Sequence, residues 1–520
     1  MMPAVGPVTS KSGESGARRQ LTIVLGAGAV LVYYLALALT RRIDADEGYY
    51  LYAARLVLEG RLPYRDFFYP QMPLLPYFWA VAGIAPGGVG WLGGRVLAAG
   101  VAWACALLFG ALLARRVRAR GAFLAVGAVY LVSDFGLEWA MTAKTYGPAT
   151  ALLLGAWLAL GRAPSESGRF DRRAALAGFL VSLAVLARLT VAPAALVLPI
   201  VYLGLDWPKA ASRKRWLIGY LNGLLPAAIV VGVFRALAPE AFVFDNWTYH
   251  RLGGPPAAER LRANLTVLLQ MLISPLWLLA WAPAIAWIAA SRRRPDRNTS
   301  CYAALAGVFI IVSTIPIRAF HQYYAMATPW LLLLAAPALE WAWGGVARRI
   351  GRARAAAAAV AMVMGLSLFQ AQTVFARRWP TWAWRPETPE AAAEHDHRLG
   401  VARAVARELN ARARPDDRLL TWWPGYGLEA APPMVEGMEN HFAVRVAKYV
   451  EAERARRLGA LPAEEIERMI TGRRVALVVV GLWTGAESWL GREHYTEMLD
   501  RAGYRKVWES GSAAIYEVPR

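Results

Sequence analysis

The chain has 520 residues, 57% of them hydrophobic, with 22 Trp, and carries a net charge of +21 from 58 Lys and Arg against 37 Asp and Glu. The basic surplus argues against a nucleic-acid partner, because it lies mainly in short loops between apolar runs and nearly cancels from Arg377 onward. The two cysteines, Cys105 and Cys301, both fall inside apolar runs, which excludes a disulfide framework or a thiolate metal site.

The N-terminal stretch "MMPAVGPVTSKSGESGARRQ" is polar, and the apolar run Leu21–Leu39 follows without a small-residue cleavage site near its end. We read it as a retained first span rather than a cleaved signal. Apolar runs of about 15–25 residues recur as far as Phe375, long enough for helices to cross a bilayer. The expected spans are 21–39, 90–114, 121–134, 145–161, 174–187, 189–204, 216–238, 265–290, 301–317, 323–343 and 355–375. The fold class is thus a mainly α polytopic membrane protein of about eleven spans.

Alternate loops are basic: "RRVRAR" (115–120), "GRAPSESGRFDRR" (161–173), "LDWPKAASRKRW" (205–216), "SRRRPDRN" (291–298) and "GGVARRIGRAR" (344–354). Arg18 and Arg19 share their side, which the positive-inside rule makes cytoplasmic; Arg41 and Arg42 stand on the other side as an exception. The opposite face gathers the unusual polar residues: Asp44 to Gln71, "SDFGLEWAMTAK" (133–144), Arg188, "APEAFVFDNWTYHRLGG" (238–254), "RAFHQYY" (318–324) and the tail. The expected division is a cytoplasmic tail 1–20, a membrane domain 21–376 with an acidic first external loop 40–89, and an external α/β domain 377–520.

In that first loop Asp44, Asp46 and Glu47 open a helix-like pattern in which Tyr49, Tyr52, Ala53, Leu56 and Val57 recur at three- and four-residue spacing. Gly60 and Pro63 end it. The pattern suits an interfacial helix with its aromatic stripe in lipid headgroups, and its acids have a plain alternative role as solvated charges favoured by the helix dipole. "YRDFFYPQMPLLPY" follows, where Pro70, Pro73 and Pro76 set a bent, re-entering segment.

The tail alternates helix and strand signals: helical "AAEHDHRLGVARAVARELNARA", extended "DRLLTWW", helical "EAERARRLGALPAEEIERMI", buried-strand "RVALVVVGLW", helical "EHYTEMLDRAGY", and a closing hairpin of "YRKVWES" and "AAIYEVP". No glycine-rich phosphate loop follows "VALVVVG", and nothing in the tail looks catalytic.

"DADEGYYLYAARLVLEGRLPYRDFFYPQMPLLPY" resembles the first external loop of GT-C membrane glycosyltransferases, in particular the protein O-mannosyltransferase-like, aminoarabinose and bacterial lipopolysaccharide-core transferases. "HQYYAMATPWLLLL" resembles the start of a late span in the same enzymes. The resemblance implies an inverting transferase in a bacterial inner membrane, with its N-terminus cytoplasmic, moving a sugar from a polyprenyl-phosphate donor to a lipid, glycan or protein acceptor. It makes Asp46 the general base and Glu47 its assistant, with cations awaiting the phosphate leaving group. Lys144, Arg188, His250, Arg251, Arg318 and His321 are candidate cations, and Tyr49, Asp66, Gln71 and Tyr324 join them as candidate substrate-binding residues. Arg188 is the most pointed of these, because an arginine among apolar residues at a span boundary needs a partner. Aminoarabinose transferases carry an acidic residue and a lysine where this chain has Pro70 and Gln71, which argues against aminoarabinose as donor and against a metal held there. No cofactor and no bound metal are expected. The competing reading is a multi-pass transporter or flippase for lipid-linked glycans, although no repeated halves are visible.

Overall fold

The computed structural model describes residues 11–84, 88–160, 171–204, 210–290, 296–351, 398–481, 492–511 and 513–519, with isolated positions between 353 and 365. Its apolar runs become helices close to their expected bounds. These are α1 (Lys11–Thr40), α4 (Trp91–Leu113), α5 (Arg120–Val132), α6 (Tyr146–Leu160), α7 (Arg172–Ala187), α8 (Ala192–Gly204), α9 (Ala210–Leu237), α13 (Arg297–Thr314) and α15 (Thr328–Ile350). Two short helices, α10 (Pro239–Val243) and α14 (His321–Tyr324), lie in the loops that follow α9 and α13. Among the described residues, four helices are long and apolar enough to cross a membrane, within α1, α4, α9 and His321–Ile350. The expected run 355–375 lies largely outside the described residues. Large apolar side chains on the outer faces, such as Val24 (66% exposed) and Ile229 (62% exposed), suit helices that meet lipid.

The expected single span 265–290 is instead two helices, α11 (Ala257–Leu272) and α12 (Pro275–Ala290), bent by 80° at a short break. Pro275 is the physical reason: it lacks an N–H and disfavours helix in the residue before it. Elsewhere α7 lies against α9, α6 against α7, α12 against α15 and α1 against α4. The α7–α9 contact is close because Gly178 and Gly223 face the partner backbone, where an added Cβ would strike the carbonyls of Tyr220 and Ala175 respectively.

The first loop folds as α2 (Ala45–Leu58), a turn, and α3 (Leu74–Ala80), with α2 against α3. Asp44 is the N-cap of α2, accepting the Asp46 N–H at 3.0 Å, and Gly60 (φ +85°) follows the C-cap Glu59. Pro73 caps α3, as the bent segment requires. Tyr64 adopts φ +68°, a strained value for a side chain of this size. It is held there by its hydroxyl donating to the Gln71 carbonyl (2.6 Å) and by its ring packing on Phe234 and Phe242.

The aromatic stripe of α2 does not face headgroups. Tyr49, Tyr52, Ala53 and Leu56 are buried in protein, because the C-terminal segment covers them. Trp423 Nε1 donates to the Ala45 carbonyl (2.8 Å), Met434 N–H donates to the Tyr52 hydroxyl (3.1 Å), and Arg55 donates to the Gly427 and Ala430 carbonyls. Gly48 lies so close to Gly425 that a Cβ there would meet its backbone at 2.8 Å. Burying each large apolar side chain here, Leu51 and Leu56 among them, contributes about 1.5–3 kcal/mol.

The C-terminal segment alternates helices and strands as the tail pattern predicts. A helix (Leu399–Arg412) precedes β1 (Leu419–Thr421), and helices Ala452–Arg457 and Ala463–Thr471 precede β2 (Leu477–Val480). Helix Arg492–Arg501 then leads to β3 (Arg505–Ser510) and β4 (Ala513–Glu517). The sheet is mixed, in order β1-β2-β4-β3, with β1 parallel to β2 and the other pairs antiparallel. The long helical stretch 451–470 is broken in two, where Gly459 (φ +72°) and Pro462 intervene.

Candidate active site

The first turn of α2 gathers charges from three parts of the chain. Lys144, in the segment between α5 and α6, places Nζ 2.6 Å from Asp44 Oδ1 and 2.8 Å from Asp46 Oδ2. The lysine is almost fully buried, and its ammonium also lies over the Trp139 ring. His441, from the C-terminal segment, places Nε2 3.6 Å from Asp46 Oδ1. Burial alone would raise the Asp46 carboxyl, and Asp44 adds to that; the Lys144 charge, with the His441 ring close by, outweighs both and holds it below its ordinary value. Lys144 is raised in turn, its burial outweighed by the two carboxylates. Asp46 is therefore an anion at neutral pH, aimed from the start of a helix whose dipole favours it.

Arg188 continues this charge line. It ends α7, donates from Nη1 to the Thr145 hydroxyl (2.6 Å) and from Nε to the Thr190 hydroxyl (2.8 Å), and lies over the rings of Tyr146 (4.4 Å) and Tyr323 (5.4 Å). Thr145 directly follows Lys144, so Arg188 is tied to the segment that carries the lysine. The charges of Asp46, Arg188 and Lys144 all act on the buried Tyr50 phenol, and these three together with Arg445 act on that of Tyr323. His250 Nε2 lies 3.1 Å from the Pro70 carbonyl. Enclosure of its ring, and then the nearby Arg188 and Arg445 charges, push His250 down to about 4. Part of His250 remains exposed, which screens that effect. The arrangement thus offers an ionised carboxylate, cations near it, and buried phenols that feel both.

Glu47 faces away from this group. It is fully buried and ion-paired with Arg41 and with Arg95 (3.5 Å), while Arg95 Nη1 also donates to the Ala38 and Arg41 carbonyls at the end of α1. It clamps α2 to α1 and α4. The Arg41 exception to the charge rule has the same explanation: it is a buried partner rather than a surface charge.

The other candidates have local partners. Asp66 closes a turn, accepting from Leu62 N–H (2.7 Å) and pairing with Arg65 (2.8 Å). Gln71 contributes its carbonyl to Tyr64, and Tyr49 is buried against Tyr50, Tyr69 and His441 beside Asp46. Arg251 is exposed over Trp247, and Arg318 is exposed over Phe320. His321 is exposed with Nε2 3.2 Å from Gln270 Oε1, and Tyr324 is buried with its hydroxyl donating to the Asn264 carbonyl (3.3 Å). The structure therefore brings Lys144 onto Asp46 and Tyr49 against His441, ties Arg188 to Thr145 beside that lysine in the chain, sets His250 within reach of the Arg188 charge, and gives Arg251, Arg318, His321 and Tyr324 other surroundings.

Sequence reasoning passed over His441, Arg445, Tyr50, Tyr146 and Tyr323. It also passed over Asp245, a buried acid that accepts from Tyr69 N–H (2.9 Å) and is raised well above its ordinary value by burial. The tail supplies the histidine beside Asp46. No local signal in "GMENHFAVRV" marks it.

No family model matches the sequence, and no curated protein matches it. Among solved structures, the chain is similar to ArnT from Cupriavidus metallidurans in the apo state (TM-score 0.64, 15% identity, 96% of this chain and 98% of that one). It is similar to the same protein bound to undecaprenyl phosphate (TM-score 0.61, 15% identity, 95% and 97%). The chain has the GT-C membrane glycosyltransferase fold. It is also similar to arabinofuranosyltransferase AftD from Mycobacteria (TM-score 0.50, 14% identity), over 95% of this chain and 40% of that longer one. With this fold and its apolar helices, the chain is a multi-pass membrane protein.

Proposed function

We propose that the protein is an inverting glycosyltransferase that moves a sugar from a polyprenyl phosphate to an acceptor at the outer face of a bacterial cytoplasmic membrane. One observation carries the reading: at the start of α2, Asp46 is held between Lys144 and His441, with Arg188 bonded to Thr145, the residue that follows the lysine. ArnT, which shares the fold, has been solved with undecaprenyl phosphate, and this supports a polyprenyl phosphate as the carrier here.

The acceptor hydroxyl oxygen attacks C1 of the sugar and forms the new glycosidic bond. Its proton passes to the Asp46 carboxylate, a base within hydrogen-bond reach. The C1–O bond to phosphate breaks, and its electron pair leaves on the phosphate oxygen, where Arg188 and Lys144 stabilise the charge. In-line attack inverts the anomeric centre. Lys144 bridges Asp44 and Asp46, so the reading uses a protein cation at this place. Asp66 and Glu47 serve the turn and the clamp, and act on the reaction through the placement of α2.

The test is transfer by the full chain in nanodiscs, using radiolabelled polyprenyl-phosphate sugars extracted from the source membranes. A labelled product with a new glycosidic bond supports the reading. Movement of label across the bilayer with no new bond would assign the chain to transport instead.

A further inference from the structure

The two oxygens of Asp46 face different parts of the molecule. Oδ2 lies 2.8 Å from Lys144, whose neighbour Thr145 is hydrogen-bonded to Arg188 at a membrane-helix end. Oδ1 lies 3.6 Å from His441, which belongs to the C-terminal segment. The His441 side chain is 1% exposed, and its ring packs edge-on against Tyr49 (5.4 Å) and tilted against Phe442 (4.1 Å). It cannot swing from Asp46 without displacing those rings. The same segment seats Trp423 on the Ala45 carbonyl and Gly425 on Gly48, so it forms one wall of the α2 first turn.

We propose that His441 is the acceptor-side positioning residue of the transferase: it sets Oδ1 of Asp46 toward the attacking hydroxyl, while Lys144 holds Oδ2 on the phosphate side. The inference rests on the reading of Asp46 as base. At 3.6 Å the His441 contact is longer than an ordinary hydrogen bond, whereas the ammonium grips Oδ2 at 2.8 Å. Oδ1 is the less tightly held oxygen and the one that receives the hydroxyl proton. His441 gains and loses no bond in the step; it fixes the direction in which Asp46 accepts. The acceptor is therefore met by the C-terminal segment and the donor phosphate by the membrane helices, which gives the appended α/β segment a role in the reaction.

The experiment uses the full chain in nanodiscs with His441→Ala, His441→Gln and Asp46→Asn. It measures melting temperature, undecaprenyl phosphate affinity, and kcat and acceptor KM for transfer from the radiolabelled lipid-linked sugars. Loss of alignment predicts that His441→Ala drops kcat about a hundredfold with undecaprenyl phosphate affinity near wild type, while the closer-sized His441→Gln keeps melting near wild type. His441→Gln, whose amide N–H faces Oδ1 from the same position, recovers about tenfold of that loss. Wild-type kcat in His441→Ala alongside an inactive Asp46→Asn would overturn the inference and leave the base in place. Wild-type kcat in both variants would remove Asp46 as the base as well. Equal losses in Ala and Gln with lowered melting would make His441 structural only, and weakened undecaprenyl phosphate binding would overturn the assignment of sides.

Discussion

Lys144 Nζ stands 2.8 Å from Asp46 Oδ2 and bridges to Asp44 Oδ1 at 2.6 Å, so one buried ammonium serves two carboxylates of the same helix start. The pair joins the first loop to the end of a later one. It helps three acids tolerate a site that is largely closed to water: Glu47 is paired with two arginines, and Asp44 and Asp46 share one lysine.

Removing that lysine leaves two neighbouring carboxylates without their cation. Lys144→Met is expected to destabilise the protein by about 3 kcal/mol, the scale for breaking a buried pair. Thermal unfolding in detergent, compared with wild type at pH 7, measures it.

The acid side of the pH profile follows from Asp46. Its folded value lies below the ordinary 3.8, so the ionised carboxylate contributes stability above that pH, and the contribution is lost as pH falls through the lower folded value. The acid limb of kcat/KM lies below 3.8 in the wild type. In Lys144→Met burial and Asp44 act without the opposing lysine, and the limb moves to higher pH. His250 acts in another window. Between its ordinary 6.5 and about 4, the unfolded chain takes a proton that the native chain refuses, so stability declines as pH falls through that range. His250→Gln removes this slope in melting temperature against pH.

Glu47 is predicted to matter through placement. Glu47→Ala leaves Arg41 and Arg95 buried together without their anion and costs about 3–5 kcal/mol. Glu47→Gln, which retains an acceptor oxygen, costs less. Melting temperatures of the two variants give the order.

Arg188 is predicted to act on the lipid phosphate. Arg188→Gln weakens undecaprenyl phosphate binding by about tenfold, the loss of one charge-assisted hydrogen bond of roughly 1.5 kcal/mol. The affinity of the lipid for the purified variant in nanodiscs is the readout, and an unchanged affinity places the phosphate elsewhere.

Much of the helical framework is legible in the amino-acid sequence. Apolar run length marks helices at 90–114, 121–134 and 145–161 within a few residues, because burial and lipid both demand continuous apolar sequence. It does not carry direction: 265–290 reads as one span and is two helices, turned where Pro275 interrupts it. Periodicity finds the α2 stripe but not its cover, since headgroups and a protein wall select the same residues. Asp46, Lys144 and Arg188 stand out as charges where apolar helices begin or end. His441 does not, because its partners come from distant sequence and its own neighbours form an ordinary amphipathic stretch. Arg41 looks like a topological exception only because Glu47 and Arg95, its neighbours in space, are not all its neighbours in sequence.

The most direct test of the account is the rate of sugar transfer by Asp46→Asn in the full chain, reconstituted in nanodiscs with wild-type melting behaviour. As general base, Asp46 predicts a fall in kcat of about 10²–10⁴-fold, with undecaprenyl phosphate still bound. Transfer at the wild-type rate would contradict the account.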